Sequence, residues 1–263
     1  MATVLVPVPA RDFDPTETAV PWKVLTARGH TVRFATPDGQ PGQADERELT
    51  GMGFGLLKTT LMADINARRS YDEMALSVAF QKPKRYADCS AQDFDALLLP
   101  GGHAPGMKQY LESSLLQGLI ADTFERRKPV GAICHGVLLA ARSRAADGRS
   151  VLFGKKTTAL TKQLELTAWA LTFLWLGDYY RTYPTTVQDE VTRALARPTD
   201  FLTGPIAIAR DSPTKLGVGF TVRDGNYLSA RWPGDAHRFA EEFARMLESV
   251  GQASSAAAFS ATA

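Results

Sequence analysis

Residues 129–141 bring a cysteine and a histidine together with the small residues that a tight backbone turn requires. They read Pro-Val-Gly-Ala-Ile-Cys-His-Gly-Val-Leu-Leu-Ala-Ala, and the apolar, partly β-branched run at 130–133 is typical of a short buried strand. Good helix formers follow the cysteine. Cys134, with Ala132 two residues before it and Gly136 two residues after it, therefore fits a nucleophile elbow, a sharp strand-to-helix turn that lifts one side chain out of the sheet edge.

A thiol at such a turn lies at the N-terminus of a helix, where the positive end of the helix dipole favours the nucleophilic thiolate. We therefore predict that Cys134 is a nucleophile rather than an inert buried cysteine. Cys89, the second of the two cysteines, has no histidine near it in sequence and is expected to be a structural or surface thiol. Because there is no Cys-x-x-Cys pair and no metal-ligand spacing, we expect no metal or other cofactor and a reducing, cytoplasmic compartment.

Two other stretches place reactive or ligand-binding groups directly after predicted strands. Glu17 follows the first strand, and Gly101, Gly102 and His103 follow the apolar run at 94–99. A glycine-rich turn after a buried strand brings backbone N–H groups close to a ligand. A carboxylic acid beside a thiolate has a raised pKa, so it stays protonated and can donate a hydrogen bond or move a proton. Glu17 could converge on one cleft with Cys134, and the alternative is a solvated acid in the first turn of a helix.

The elements that must position these groups alternate between strands and helices. A strand at 4–8, a helix at 16–28 and a strand at 31–35 form a β-α-β unit, which requires a parallel pair with a right-handed crossover. The whole pattern predicts an α/β fold with a doubly wound, mostly parallel sheet and helices on both faces. Ligands bind beyond the carboxyl ends of such strands, where the loops after the strands should converge. The other predicted elements are helices at 57–69, 115–127, 165–176 and 235–250, a strand at 157–160, and a hairpin of strands at 218–222 and 227–230.

A single domain, residues 1–251, accounts for this pattern, with excursions at about 40–90 and 160–205 and a low-complexity tail at 252–263. Aromatic residues cluster in the second excursion, between 169 and 183. We predict that they form core or a subunit interface, with a wall of the substrate pocket as the alternative.

Charge and hydropathy argue against two classes of partner. The net charge of +2 is too small to indicate binding to nucleic acid. The apolar run at 168–176 is far shorter than the ~18 residues that a membrane span needs. We therefore expect neither a nucleic acid nor a membrane as a partner.

Five stretches, in order along nearly the whole chain, resemble motifs of the ThiJ/PfpI superfamily. The resemblance implies the class I glutamine amidotransferase-like fold, a flavodoxin-like sandwich. Because a histidine directly follows the cysteine and the two excursions are long, the chain looks most similar to the chaperone/glyoxalase III branch. The matching stretches are Glu-Thr-Ala-Val-Pro at 17–21, Ala-Thr-Pro-Asp-Gly at 35–39, Leu-Pro-Gly-Gly-His at 99–103, Ala-Ile-Cys-His-Gly at 132–136, and Gly-Asn-Tyr-Leu at 225–228 with Trp-Pro-Gly-Asp-Ala at 232–236.

The resemblance implies a role for each matching residue. Cys134 is the nucleophile, Glu17 is the carboxyl group beside its sulfur, and His135 pairs with the cysteine. The backbone N–H groups of Gly102 and His135 form an oxyanion hole. Gly101 and His103 belong to the same substrate-binding loop.

An acid that orients His135 is also implied by the resemblance. Family members place it roughly thirty residues after the cysteine, where Glu165 is the best candidate. The segment around Glu165 lacks the paired glutamates often seen there, and Asp178 is the alternative.

The branch implies glutathione-independent glyoxalase III activity, in which methylglyoxal and similar 2-oxoaldehydes become 2-hydroxy acids. The expected partners are a small carbonyl substrate and a second copy of the chain in a homodimer. Two alternatives stay open at this point. One is another cysteine-dependent hydrolase, such as a peptidase, an amidase or a biosynthetic enzyme. The other is a holdase chaperone or a redox sensor that works through oxidation of Cys134.

Overall fold

A seven-stranded sheet forms the centre of the protein. The structure is a computed structural model that describes residues 1–260. Within them the strands are β1 (Thr3–Pro7), β2 (Arg11–Phe13), β3 (Thr31–Thr36), β4 (Gln43–Ala44), β5 (Lys84–Arg85), β6 (Ala96–Leu99), β7 (Val130–Ile133), β8 (Thr221–Asp224) and β9 (Tyr227–Ala230). The main sheet has the order β5-β3-β1-β6-β7-β9-β8, and only the β8–β9 pair is antiparallel. The predicted α/β fold with a doubly wound, mostly parallel sheet is confirmed.

Helices pack around this sheet and supply the other side of the core. The first helix of the chain contacts two later helices, and the helix that follows Cys134 packs against the strand that precedes Cys134. The helices are α1 (Pro15–Ala27), α2 (Glu46–Thr50), α3 (Lys58–Leu61), α4 (Ile65–Ala75), α5 (Val78–Gln81), α6 (Lys108–Leu111), α7 (Ser114–Glu125), α8 (His135–Arg142), α9 (Lys162–Leu176), α10 (Val187–Ala194) and α11 (Ala236–Ser260).

The register of three central strands brings the chemistry-bearing loops together. Strands β1, β6 and β7 are neighbours in the sheet, and Leu99 at the end of β6 lies opposite Ala132 of β7. Both strands are buried along their whole length. Since the strands run parallel, Gly101 and Cys134 leave the sheet side by side, at the carboxyl ends where ligands bind in such folds.

Two sequence-based expectations about local structure are wrong. Residues 157–160 form no strand; only a bridge joins Thr157 to Phe201. The Thr157 hydroxyl bonds instead to the hydroxyls of Tyr227 and Ser229, so side-chain hydrogen bonds replace a strand ladder. The helix expected at 57–69 is two helices, α3 and α4, because Met62 is extended and Asp64 caps the second one.

The last helix extends past residue 250, where the sequence predicts that it ends and a tail begins. Helix α11 continues to Ser260, so it includes most of the expected tail at 252–263. Residues 261–263 lie outside the described residues. Within residues 1–260, no helix is both long enough and apolar enough to cross a bilayer.

Candidate active site

Cys134 forms the turn between β7 and α8, as the elbow pattern predicts. Its backbone has φ 56° and ψ −122°, a combination that is strained for a residue with a side chain. Gly136 allows the turn, because a Cβ there would lie 2.0 Å from the carbonyl oxygen of Leu99. Any larger residue would push α8 away from β6. The position therefore requires glycine, because the two backbone segments are in direct contact.

Glu17 reaches the site through an altered helix cap. Asp14 caps α1 and accepts hydrogen bonds from the backbone N–H groups of Thr16 and Glu17, at 2.7 and 2.9 Å. In a capping box, the acid at the position of Glu17 would bond back to the N–H of the cap residue. Here the Asp14 N–H donates to the carbonyl of Gly101 at 2.9 Å, and Glu17 Oε2 accepts the N–H of Gly101 at 2.8 Å. The side chain of Glu17 is thereby directed across the sheet edge and not along its own helix.

Gly101 is the point where three candidate residues meet. A Cβ on Gly101 would lie 2.7 Å from Glu17 Oε2, 2.9 Å from Cys134 Cβ and 2.7 Å from the backbone nitrogen of His135. The next residue, Gly102, has φ 143°, which residues with side chains rarely adopt. The loop therefore needs both glycines, one for close approach and one for its backbone angle.

Burial keeps the acid and the thiol in their neutral forms. It raises the pKa of Glu17 well above its usual range, and the nearby Asp14 carboxylate adds to the rise. Burial likewise raises the pKa of Cys134, with a further contribution from Glu17, and the His135 backbone N–H only partly opposes this. Cys134 is 5% exposed. Desolvation thus outweighs the opposing effect of the helix N-terminus, to which the His135 N–H belongs, and it favours the thiol over the thiolate.

His135 is held at both ring nitrogens. Its Nδ1 lies 3.5 Å from Cys134 Sγ, and its Nε2 lies 3.2 Å from Thr182 Oγ1. Burial lowers the pKa of His135 to about 3, and the neighbouring His103 and Arg142 add to that effect. The imidazole is thus neutral at physiological pH and can accept a proton from the thiol.

The structure places neither of the expected acids against His135. Glu165 Oε2 accepts the backbone N–H of Val187 at 2.9 Å, and its Oε1 lies 3.5 Å from Arg181 Nε. It therefore supports the start of α10. Asp178 accepts the indole N–H of Trp169 at 2.9 Å.

Thr182 occupies the place where sequence reasoning expected an acid. The residue lies 47 positions from His135 and belongs to no motif. An uncharged hydroxyl in an aromatic stretch gave no signal that could have identified it.

His103 lies under an aromatic cover and is not free in its loop. Its ring stacks on Tyr180 with centroids 4.2 Å apart, and the edge of Tyr179 meets it at 4.7 Å. Burial lowers the pKa of His103 to about 3, so this ring is also neutral. Its Nε2 is buried and has no partner among the described residues. The alternative that part of the aromatic stretch forms a wall of the pocket fits this arrangement.

A cleft of about 640 Å³ opens beside this cover, and both His103 and Thr182 line it. Cys134 does not line the cleft, but Thr182 contacts His135, which contacts the cysteine. The other lining residues come from both excursions, from β2 and from the stretch that leads into α6. They include Asp45, Glu46, Arg47, Met52, Lys108, Asp178, Tyr179 and Arg181.

The polar groups of the site can be compared with the ligand sets that metal ions require. In the part of the chain that the structure describes, no group of three or more histidine, cysteine, aspartate or glutamate side chains could hold a metal ion. The site instead consists of one thiol, one carboxyl group, one imidazole and backbone N–H groups.

Known proteins similar to this chain share its fold and include enzymes. A family model described as ThiJ/PfpI family-like matches residues 8–203. The deglycase PfpI of Pyrococcus furiosus is 24% identical over 241 residues, which are 91% of this chain and 96% of that protein. The glutathione-independent glyoxalase hsp3102 of Schizosaccharomyces pombe is 24% identical over 149 residues, or 56% of this chain. Among solved structures, glyoxalase III from Candida albicans has a TM-score of 0.65 at 19% identity, and the match covers 93% of this chain and 96% of that one.

Coverage differs widely among these relatives. The chain spans 58% of the length of hsp3102. It spans 42% of another protein of the same yeast, C14C4.04, to which it is 31% identical over 117 residues.

Proposed function

The chain belongs to the ThiJ/PfpI family, and on that premise we propose that it is a glutathione-independent glyoxalase acting on 2-oxoaldehydes such as methylglyoxal. One arrangement carries the proposal: the Glu17 carboxyl group and the His135 imidazole both lie beside Cys134, and burial favours the neutral form of each. An acid and a base on either side of a thiol are what an internal proton transfer between two carbonyl carbons requires. Two relatives, hsp3102 and the Candida protein, carry glyoxalase names.

The first step forms a hemithioacetal. Cys134 Sγ attacks the aldehyde carbon while His135 Nδ1 takes the thiol proton, so the bond between carbon and sulfur forms as the carbonyl electrons move to oxygen. The backbone N–H groups of Gly102 and His135 stabilise that oxygen, and Glu17 then gives it a proton. The step ends with a Glu17 carboxylate and a His135 imidazolium.

The second step moves hydrogen between the two substrate carbons. The Glu17 carboxylate removes the hydrogen of the former aldehyde carbon, and the His135 imidazolium protonates the ketone oxygen, which gives an enediol. Glu17 returns its proton to the former ketone carbon, and His135 takes the hydroxyl proton of the other carbon. The product is a thioester of a 2-hydroxy acid on Cys134. One carbon has been oxidised and its neighbour reduced, so no external oxidant or reductant is needed.

Hydrolysis completes the cycle. The Glu17 carboxylate takes a proton from a water molecule that attacks the thioester, and the His135 imidazolium protonates the departing sulfur of Cys134. The 2-hydroxy acid leaves, and all three residues return to their neutral forms. A site that is closed to bulk solvent before this step protects the enediol from side reactions.

The burial of Cys134 favours a small substrate. With 5% of the cysteine exposed, a molecule the size of methylglyoxal fits the approach better than an extended peptide does. The low exposure and the raised pKa of the thiol also disfavour a primary role in redox sensing, since oxidation follows thiolate character and access.

The test is the formation of lactate from methylglyoxal without glutathione. The native protein should form it, Cys134→Ala should form none, and Cys89→Ser should match the native protein because Cys89 lies outside the site. No lactate from native protein whose Cys134 still reacts with an alkylating agent would reject the glyoxalase function. Equal lactate from Cys134→Ala would reject the thiol mechanism.

A further inference from the structure

We propose that Thr182 is the positioning residue of His135 and sets which ring nitrogen carries the proton. This inference deepens the proposed function, since it assigns the partner that orients the base. It stands on two hydrogen bonds made by one hydroxyl group. The sequence motifs contain no such residue.

The Thr182 hydroxyl has its single proton already committed. Its Oγ1 lies 2.6 Å from the carbonyl oxygen of His103, and a carbonyl oxygen can only accept a hydrogen bond. A hydroxyl group has one proton and two lone pairs, so the proton lies in this bond. Towards His135 Nε2, 3.2 Å away, Thr182 can therefore act only as an acceptor.

His135 must then carry its proton on Nε2. The ring is neutral, so the other nitrogen, Nδ1, has a free lone pair. Nδ1 is the atom that lies 3.5 Å from Cys134 Sγ, and it can accept the thiol proton. In the other tautomer an N–H and an S–H would face each other, and the Thr182 oxygen would face an unprotonated nitrogen.

Neighbouring contacts hold the hydroxyl in place. Thr182 is buried, and the segment that contains it is anchored on both sides. Tyr179 donates to Asp45 at 2.5 Å, and Tyr183 donates to Glu112 at 2.8 Å. The orientation of Thr182 is thus imposed by the fold and not by the histidine.

A hydroxyl in this place does one part of what a carboxylate does in a catalytic triad. A carboxylate both selects the tautomer and stabilises the imidazolium that forms. Thr182 selects the tautomer but adds no charge, so the imidazolium is stabilised only while the thiolate or the Glu17 carboxylate is present. The proton should therefore leave Cys134 as the bond between sulfur and carbon forms, and not before.

The test compares Thr182→Val, which removes the hydroxyl at nearly the same volume, with Thr182→Ser, which keeps it. Thr172→Val is the matched control, because Thr172 is also buried and its hydroxyl also donates to a backbone carbonyl, that of Ala168. Nitrogen-15 chemical shifts of the full-length protein report the tautomer of His135 directly. We expect the Nε2-protonated form in the native protein, Thr182→Ser and Thr172→Val, and a mixture of tautomers in Thr182→Val.

A second readout is the rate at which iodoacetamide alkylates Cys134 in a Cys89→Ser background. Thr182→Val should slow this reaction, and the kcat for methylglyoxal should fall by roughly 10²-fold, the lower end of what general-base catalysis contributes. KM should change little, and Thr182→Ser should restore both rates. A role in packing alone would lower the stability of Thr182→Val without changing the tautomer.

The outcomes separate this inference from the proposed function. A native His135 protonated on Nδ1 would overturn the inference even if Thr182→Val does not fold. Unchanged alkylation and tautomer in Thr182→Val would overturn it as well, whatever lactate is formed. The expected shifts and alkylation rates without lactate from the native protein would support the role of Thr182 and reject the glyoxalase function.

Discussion

His135 lies between two regions that are built in different ways. The elbow region, formed by Glu17, Gly101, Cys134 and Gly136, depends on backbone passing close to backbone at the ends of neighbouring strands. The cover region, formed by residues 179–183 with His103, depends on side chains from loops distant in sequence. The elbow region has little tolerance for added atoms, whereas the cover region depends on particular hydroxyl and aromatic groups. In the proposed mechanism the first region supplies the reacting groups and the second orients them.

Replacing the acid in the elbow region should have the largest effect on catalysis. Glu17→Gln keeps an oxygen for the Gly101 N–H but has no acidic proton, so kcat for methylglyoxal should fall by roughly 10²- to 10³-fold. Glu125→Gln is the control, because Glu125 is an exposed acid at the end of α7 and does not line the cleft. A Glu17→Gln enzyme with native kcat would remove Glu17 from the mechanism.

The same substitution should make the protein more stable. The pKa of Glu17 is raised in the folded state, so the folded protein binds this proton more tightly than the unfolded chain does. The free energy of unfolding of the native protein must then fall as pH rises from the ordinary pKa of a glutamate towards the raised value. Glu17→Gln lacks this loss. Its melting temperature should exceed that of the native protein near neutral pH, and the gap should narrow in acid.

Glycine substitutions test the steric difference between the elbow region and the rest of the protein. Gly136→Ala would put a Cβ 2.0 Å from a backbone oxygen, and such overpacking should cost about 3 kcal/mol of unfolding free energy. Gly118, inside α7, has nothing within 4 Å of the equivalent position. Gly118→Ala should therefore stabilise the protein, by about 0.5–1 kcal/mol. Urea denaturation measures both, and equal effects would contradict the backbone packing described for the elbow.

The two regions also differ in how far the sequence predicts them. The elbow region could be predicted because strand order and parallel register bring Gly101 and Cys134 together once the strands are recognised. Small residues on either side of the cysteine indicate that two backbone segments lie close together there. Glu17 could be placed at the same edge because it begins the helix after the first strand.

The cover region could not be predicted in the same way. Thr182 lies 47 residues from His135, and its role depends on the path of a loop and on a carbonyl oxygen in another loop. The spacing seen in the family that the chain resembles led instead to Glu165, with Asp178 as the alternative, and the Glu165 side chain points towards α10. Sequence spacing locates a residue reliably only where regular elements connect it to the site.

A prediction about Glu165 sharpens this contrast. An acid that oriented His135 would be worth about 10⁴-fold in kcat in a catalytic triad, whereas Glu165→Gln keeps an acceptor for the Val187 N–H. We expect kcat to stay within about threefold of native, far below that triad effect. Burial raises the pKa of Glu165 to about 7. The native protein should therefore lose stability relative to Glu165→Gln as pH rises from the ordinary glutamate value to about 7. A kcat loss as large as that of Glu17→Gln would restore Glu165 as a catalytic acid.

The cover region follows α9, a helix in which polar side chains are buried and large apolar side chains are exposed. In α9 the polar residues Glu165 and Thr172 are buried, while Leu171, Phe173, Leu174 and Trp175 are 44–80% exposed. Between residues 163 and 177 the only charged side chain is Glu165, which is already buried. Two copies of such a face can meet across a twofold axis without burying an unpaired charge. We therefore predict the homodimer through the exposed face of α9.

The mass of the protein in solution tests that prediction, with the smallest expected effect on catalysis. Light scattering should give the mass of two chains for the native protein and of one chain for Leu174→Glu, because the new carboxylate would be buried without a partner. Leu115→Glu, which changes another exposed leucine, on α7, should remain dimeric. The segment that contains Thr182 is anchored within the same chain, by hydrogen bonds to Asp45 and Glu112. The kcat of the monomeric variant should therefore stay within about threefold of native, a much smaller change than the ~10²-fold that a general base contributes. A native monomer that suppresses aggregation of unfolded proteins through Leu174 would instead favour a holdase surface, and an unchanged mass for Leu174→Glu would exclude the α9 face as the dimer contact.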